Sequence, residues 1–225
     1  MSPARSRSQF VDEIAREYAC DHTSPPDAIQ QELQAVTRER TGRASGMQIG
    51  DDQAVFMEIL ARSMGARSGL EVGTFTGYSA LALARGMGPE GHLLCCDVSE
   101  EWTSIAREYW EKAGVSDRIE LKIGPALETL RGLPESAQFD IAFLDADKVT
   151  YPDYYEEIIP RLRDKGLLLV DNTLQGGRVL EPESTDDSTL AVRTLNERIV
   201  ADDRVRTVFL PLGDGITLVE KVAGE

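Results

Sequence analysis

Asp140-Ile-Ala-Phe-Leu-Asp-Ala-Asp-Lys148 and Gly166-Leu-Leu-Leu-Val-Asp-Asn172 are built alike: an apolar run ends in acidic or amide side chains. Such a run reads as a strand buried on both faces, as the strands of parallel sheets are. In an open α/β sheet, ligands bind outside the carboxyl ends of the strands. Asp145, Asp171 and Asn172 are therefore expected to converge, with Lys148 three residues beyond the first. Two carboxylates and an amide carbonyl are hard oxygen ligands, suited to Mg²⁺ or Ca²⁺ rather than Zn²⁺. A lysine beside them is a candidate proton acceptor.

Outward from these runs, strand and helix signals alternate. Strands are expected near 68–73, 91–97, 118–123, 138–145 and 166–171, with helices near 76–87, 101–113, 125–131 and 152–163. Pro152 suits the first turn of the last helix, Tyr154, Ile158, Ile159 and Leu162 form its stripe, and Lys165-Gly166 should end it. This alternation predicts a doubly wound parallel sheet. Residues 204–210 and 216–222 are two more strands, joined by Pro211-Leu-Gly-Asp-Gly215. So short a link makes an antiparallel hairpin, giving six parallel strands and one antiparallel strand. Glu181–Asp187 reads as a polar loop bordering the site.

The first sixty residues look helical. Phe10, Ile14 and Tyr18 share one face. Pro26 can open a helix from Asp27 to about Arg40, with Ile29, Leu33 and Val36 inward. Thr41–Gly46 reads as a loop, and Asp51 as the cap of a third helix burying Val55, Phe56, Ile59, Leu60 and Met64. A single domain over 1–225 is expected, with a helical cap over 1–46 and a core over 47–222.

The 24 Lys and Arg against 39 Asp and Glu give a net charge of −15. Phosphate backbones need a positive surface, so a nucleic-acid partner is not expected. No apolar run is long enough to span a bilayer, and Met1–Glu13 lacks the apolar stretch of a signal peptide, so a cytoplasmic location is expected. Cys20, Cys95 and Cys96 show no metal spacing; Cys95 and Cys96 fall in a strand and should face opposite ways as reduced thiols. His22 and His92 are too few for a three-histidine zinc site.

Leu70-Glu-Val-Gly-Thr-Phe-Thr-Gly-Tyr-Ser79 lies at the first strand-to-helix turn. Gly73 and Gly77 allow a tight turn, with Thr74, Phe75 and Ser79 around it. A dinucleotide fingerprint needs glycine where Phe75 stands, so the turn suits a cofactor without phosphates and disfavours a nicotinamide dehydrogenase. Asp97 ends the second strand, where an acid can accept ribose hydroxyls; its alternative role is a helix N-cap. Glu71 can reach the charged end of such a cofactor.

Glu71-Val-Gly-Thr-Phe-Thr-Gly-Tyr-Ser79, Phe143-Leu-Asp-Ala-Asp-Lys148, Asp171-Asn-Thr173 and Leu210-Pro-Leu-Gly-Asp-Gly215 occur in order. In this the chain resembles the cation-dependent class I S-adenosylmethionine (SAM) O-methyltransferases of the catechol and caffeoyl-CoA type. The resemblance runs from about Met47 to Val222 and implies a Rossmann-like, doubly wound seven-stranded α/β sheet with N-terminal helices. It implies Asp145, Asp171 and Asn172 as ligands of Mg²⁺ or another divalent cation, Lys148 as the catalytic base, and Glu71, Ser79 and Asp97 as contacts to SAM. It places Met47 near the methyl group, Gly124-Pro-Ala126 at the adenine and Asp145 also against the cofactor. Pro125 departs from the small or polar residue usual there. A homodimer is also implied.

The expected reaction is methyl transfer from SAM to a hydroxyl of a small ortho-dihydroxy or hydroxy-anthranilate aromatic, in secondary metabolism. Arg38, Arg40 and Arg43 are the candidate contacts for a CoA tail, in a chain without an obvious basic segment. Asp147 reads as a surface or capping residue, Tyr151, Tyr154 and Tyr155 as helix packing, and Trp102 as either packing or the edge of an adenine pocket. The alternatives are a tRNA hydroxyuridine methyltransferase and a non-catalytic SAM-binding protein.

Overall fold

A computed structural model describes residues 13–134, 136 and 139–222. Its centre is a seven-stranded sheet: β1 (Ser68–Val72), β2 (His92–Asp97), β3 (Ile119–Ile123), β4 (Phe139–Leu144), β5 (Leu162–Val170), β6 (Val205–Leu210) and β7 (Ile216–Lys221), in the order β3-β2-β1-β4-β5-β7-β6. The first five strands pair in parallel. β7 lies antiparallel between β5 and β6, so it alone runs against the rest, as the short hairpin link requires.

Register sets the height at which each strand stops. Val72 pairs with Cys96 and Leu144, and Leu144 with Val170. The strands therefore end level. The next amides continue the ladder: Gly73 donates to the Cys96 carbonyl, Asp145 to Val72 and Asp171 to Leu144, at 2.9, 2.8 and 3.0 Å.

Both faces are covered. Ile141 and Phe143 point to one core, with α3 (Asp51–Ser63), α4 (Tyr78–Met87) and α5 (Glu100–Lys112). Ala142 and Leu144 point to the other, with α6 (Ala126–Gly132), α7 (Tyr151–Arg161) and α8 (Asp187–Ala201). Cys95 and Cys96 divide between the two cores as free thiols. No described helix is long and apolar enough to cross a membrane.

Several local expectations need correction. Helix α8 begins inside the segment read as a loop; Asp186 caps it through the Thr189 amide, and Val192, Leu195 and Ile199 bury its stripe. Helix α7 stops at Arg161, and Leu162 already belongs to β5. Lys165-Gly166 thus lies within a strand, at an irregular stretch where Lys165 has φ +62°. Pro26 stays outside α2 (Ala28–Thr41), whose cap is Asp27 in a reciprocal box with Gln30. Thr41–Gly46 closes into a 3₁₀ turn, Gly42–Met47. Gly50 caps α3, because the Asp51 carboxylate instead accepts from the Tyr78 hydroxyl and the Gln34 amide. The fully buried line of α3 is Ala54, Met57 and Ala61; of the expected residues, Phe56, Leu60 and Met64 pack against the same core while partly buried, and Ile59 is exposed. Ile14 and Tyr18 on α1 (Glu13–Asp21) are exposed, and Phe10 lies outside the described residues.

Candidate active site

The level strand ends open into one cavity of about 590 Å³. Met47, Gly73, Thr74, Phe75, Gly77, Ser79, Asp97, Ala126, Asp145, Lys148, Asp171 and Asn172 all line it. Glu71 does not: it is fully buried in β1 beneath that wall.

The turn after β1 is fixed by close approach. Gly73 has φ +93°, and a Cβ there would stand 2.0 Å from the Asp145 carbonyl oxygen. Phe75 is also left-handed, at φ +52°, and its ring meets Trp102 edge-on at 5.1 Å. Asp97 holds the turn: Oδ2 accepts from the Thr74 and Phe75 amides at 2.9 and 2.8 Å. Its Oδ1 accepts from the Ser99 amide at 2.8 Å, while Ser99 itself caps α5. Asp97 is therefore not the helix cap. A carboxylate offers about four acceptor sites, so roughly one remains for a ligand hydroxyl, on Oδ1. Gly124 extends the row by donating to the Asp97 carbonyl, and Pro125 stands at the start of α6.

Glu71 is held protonated up to about pH 8, chiefly by burial. The Ser79 and Thr74 hydroxyls offset part of this, the charges of Asp145 and Asp97 add to it, and Oε2 has no hydrogen-bond partner among the described residues. Cys95 Sγ rests against Oε1 at 3.8 Å.

After β4, Lys148 Nζ donates to Asp145 Oδ1 at 2.7 Å and to the Tyr151 hydroxyl at 2.6 Å. The Tyr151 hydroxyl lies 3.2 Å from both the Leu144 and Asp171 carbonyl oxygens. Tyr151 is thus a polar hub under the site and more than helix packing. Asp171 is almost fully buried, and burial followed by the Asp145 charge raises its carboxyl above the ordinary carboxylate range. Lys148, Gln53 and the Asn172 amide pull it back. Asn172 adopts φ +54° beside it. Among the described residues no three His, Cys, Asp or Glu side chains form a ready metal cage. The convergent set is two carboxylates plus the Asn172 amide, with Lys148 supplying positive charge.

Asp147 precedes the 3₁₀ turn Lys148–Thr150 without capping it through its side chain; its carboxylate accepts from the Thr150 hydroxyl and, at 2.9 Å, from the Tyr154 hydroxyl, and it lines the cavity. Tyr155 points away, donating to Asp202. Gln48, Gln53, Val98 and Asp214 also line the cavity and were not among the expected site residues. Only Asp214 carried a signal, the Gly-Asp-Gly turn of the hairpin.

Known proteins are similar to this chain over most of its length. The O-methyltransferase family matches residues 20–222. A probable caffeoyl-CoA O-methyltransferase of Dictyostelium discoideum is 41% identical over 209 residues, covering 91% of this chain and 90% of the relative. The O-methyltransferase from Bacillus cereus, solved with S-adenosylhomocysteine (SAH), is 30% identical with TM-score 0.83, over 91% of this chain and 96% of that one. TomG from Streptomyces achromogenes, involved in tomaymycin synthesis and solved with SAM, is 28% identical with TM-score 0.85, over 95% of this chain and 100% of that one. On its motifs, its fold and these matches, the chain belongs to the O-methyltransferase family.

Proposed function

We propose that this protein transfers a methyl group from SAM to a hydroxyl of a small catechol-like aromatic, an ortho-dihydroxy or hydroxy-anthranilate compound, with the help of Mg²⁺ or another divalent cation. The observation that carries this reading is the meeting of Asp145, Asp171, Asn172 and Lys148 in the cavity that the glycine turn and Asp97 also line. The SAH- and SAM-bound relatives support the donor.

When bound, the donor supplies an activated methyl on a sulfonium. The oxygen donors Asp145, Asp171 and Asn172 fit a hard divalent cation, which when bound supplies Lewis acidity towards a vicinal diol. The rest falls to the chain. A phenol is mostly protonated at neutral pH, with a pKa near ~10. Lys148 Nζ, which donates to Asp145 and Tyr151, takes the phenolic proton after passing one of its own to solvent. Asp97 Oδ1 takes a ribose hydroxyl, while Phe75, Val98 and Trp102 offer apolar surface to the adenine. Ser79 stands between Glu71 and the cavity, and contacts the methionine end. Met47, half-exposed at the rim, screens the transfer region from water. Holding the two reactants in line contributes much of the acceleration.

The test is incubation with SAM and a panel of catechols and hydroxy-anthranilates, with Mg²⁺ or EDTA, reading products by mass spectrometry. Methylation abolished by EDTA is expected. EDTA-resistant methylation would overturn the cation, and absence of product from every diol would overturn the acceptor class.

A further inference from the structure

We infer that Gln53 is a positioning residue, which together with the Leu212–Gly215 turn fixes the Asp171–Asn172 pair in the geometry that takes up a divalent cation. The inference rests on the cation reading of the proposed function and assigns a part to residues outside its ligand set.

Gln53 stands in the first turn of α3, only 2% exposed, 118 residues from its partner in sequence. Its Nε2 donates to Asp171 Oδ2 at 2.9 Å. The Asn172 amide donates to Asp171 Oδ1 at 2.7 Å. One proton donor on each oxygen removes the carboxylate's freedom to rotate. Roughly two acceptor sites remain on it, and the residue lines the cavity together with Asp145 and Asn172.

The other side of Gln53 is braced by Gly213. A Cβ at that position would stand 2.8 Å from Gln53 Oε1, and Gly213 has φ +59°. The same turn grips the chain after Asp171. The Thr173 amide donates to the Gly215 carbonyl and the Leu174 amide to the Asp214 carbonyl, both at 3.0 Å. The Asp214 carboxylate accepts from the Gly176 amide at 2.8 and 3.0 Å. Asn172 is thus held in its left-handed conformation from both ends, by Asp171 before it and by the hairpin turn after it. Groups that orient a ligand in this way typically matter about 10–100-fold in metal affinity.

The experiment is titration of the purified, cation-free full chain with Mn²⁺, read by electron paramagnetic resonance. Wild type is compared with Gln53→Met, which keeps the length and loses the donor. SAH affinity and melting temperature are measured alongside. Mn²⁺ binding weaker by about tenfold or more, with SAH affinity unchanged, is expected. Equal Mn²⁺ affinity in wild type and variant overturns this inference and leaves the cation reading standing. No Mn²⁺ uptake by wild type overturns both. If Gln53→Met does not fold, Gln53→Asn makes the same comparison, since its amide is one methylene too short to reach Asp171. A loss of SAH affinity equal to the loss of Mn²⁺ affinity would mark Gln53 as structural only and overturn the inference.

Discussion

The Lys148 ammonium donates to the Tyr151 hydroxyl at 2.6 Å and sits 4.6 Å from the centre of its ring. One turn of chain therefore carries both the candidate base and the group that fixes where its nitrogen points. The nitrogen also touches Asp145, so a single lysine links the acid at the end of β4 to the hub beneath it.

Lys148→Met keeps the stem and removes the proton acceptor. Turnover should fall by roughly 10²–10⁴ with SAH affinity retained. Single-turnover rates and calorimetric SAH binding check this; an unchanged rate would show that Lys148 is no base.

Tyr151→Phe leaves the buried Leu144 and Asp171 carbonyls without that hydroxyl. A stability loss of about 1–3 kcal/mol is expected. For a chain of this size that is roughly 2–4 °C of melting temperature per kcal/mol. The rate should also fall, because Lys148 loses one of its two acceptors. A variant as stable and as fast as wild type would reduce Tyr151 to packing.

Asp171→Ala should abolish cation-dependent turnover while changing SAH affinity less than about threefold, since the acid is proposed to hold the cation and not the donor. Steady-state assays across a Mg²⁺ series decide it. Full activity would remove Asp171 from the ligand set.

Gly73→Ala places a Cβ against backbone, the Asp145 carbonyl, in a conformation at φ +93°. Backbone cannot yield as a flexible side chain does. Strain and overpacking together should cost roughly 2–6 kcal/mol. Chemical denaturation measures this, and near wild-type stability would mean that the strand ends move apart easily.

Glu71 gives a pH dependence with a definite sign. Its folded value of about 8 lies above the ordinary 4.5, so folding favours the protonated acid. That contribution is fully present below the unfolded value and is lost as pH rises through about 8. Without ligand, the melting temperature of wild type should decline between roughly pH 5 and 9 by several degrees more than that of Glu71→Gln, which cannot ionise. Parallel curves for the two proteins would contradict a buried, neutral Glu71.

The sequence by itself determined the layered α/β sheet, because an apolar run bounded by turn residues carries its own strand signal. It also determined the ends that bear Gly73, Asp97, Asp145, Asp171 and Asn172, because parallel strands present their carboxyl ends together. The short Pro211–Gly215 link made the last hairpin antiparallel by length alone. Tertiary structure decided the rest. Helix α8 carries its signal in the i, i+3, i+7 spacing of Val192, Leu195 and Ile199, but the polar run before it masked its start, which the Asp186 cap decides. Ala54 and Ala61 became the innermost residues of α3, beside the expected Phe56, Leu60 and Met64, because α3 packs closely against Gly86 of α4. Tyr151 became a hub only when the ends of β4 and β5 came level around its hydroxyl. Gln53 acquired its partner Asp171 only when α3 and β5 met. Local patterns in the chain record each element's own burial, but a hydrogen bond between distant residues exists only once packing has brought them together.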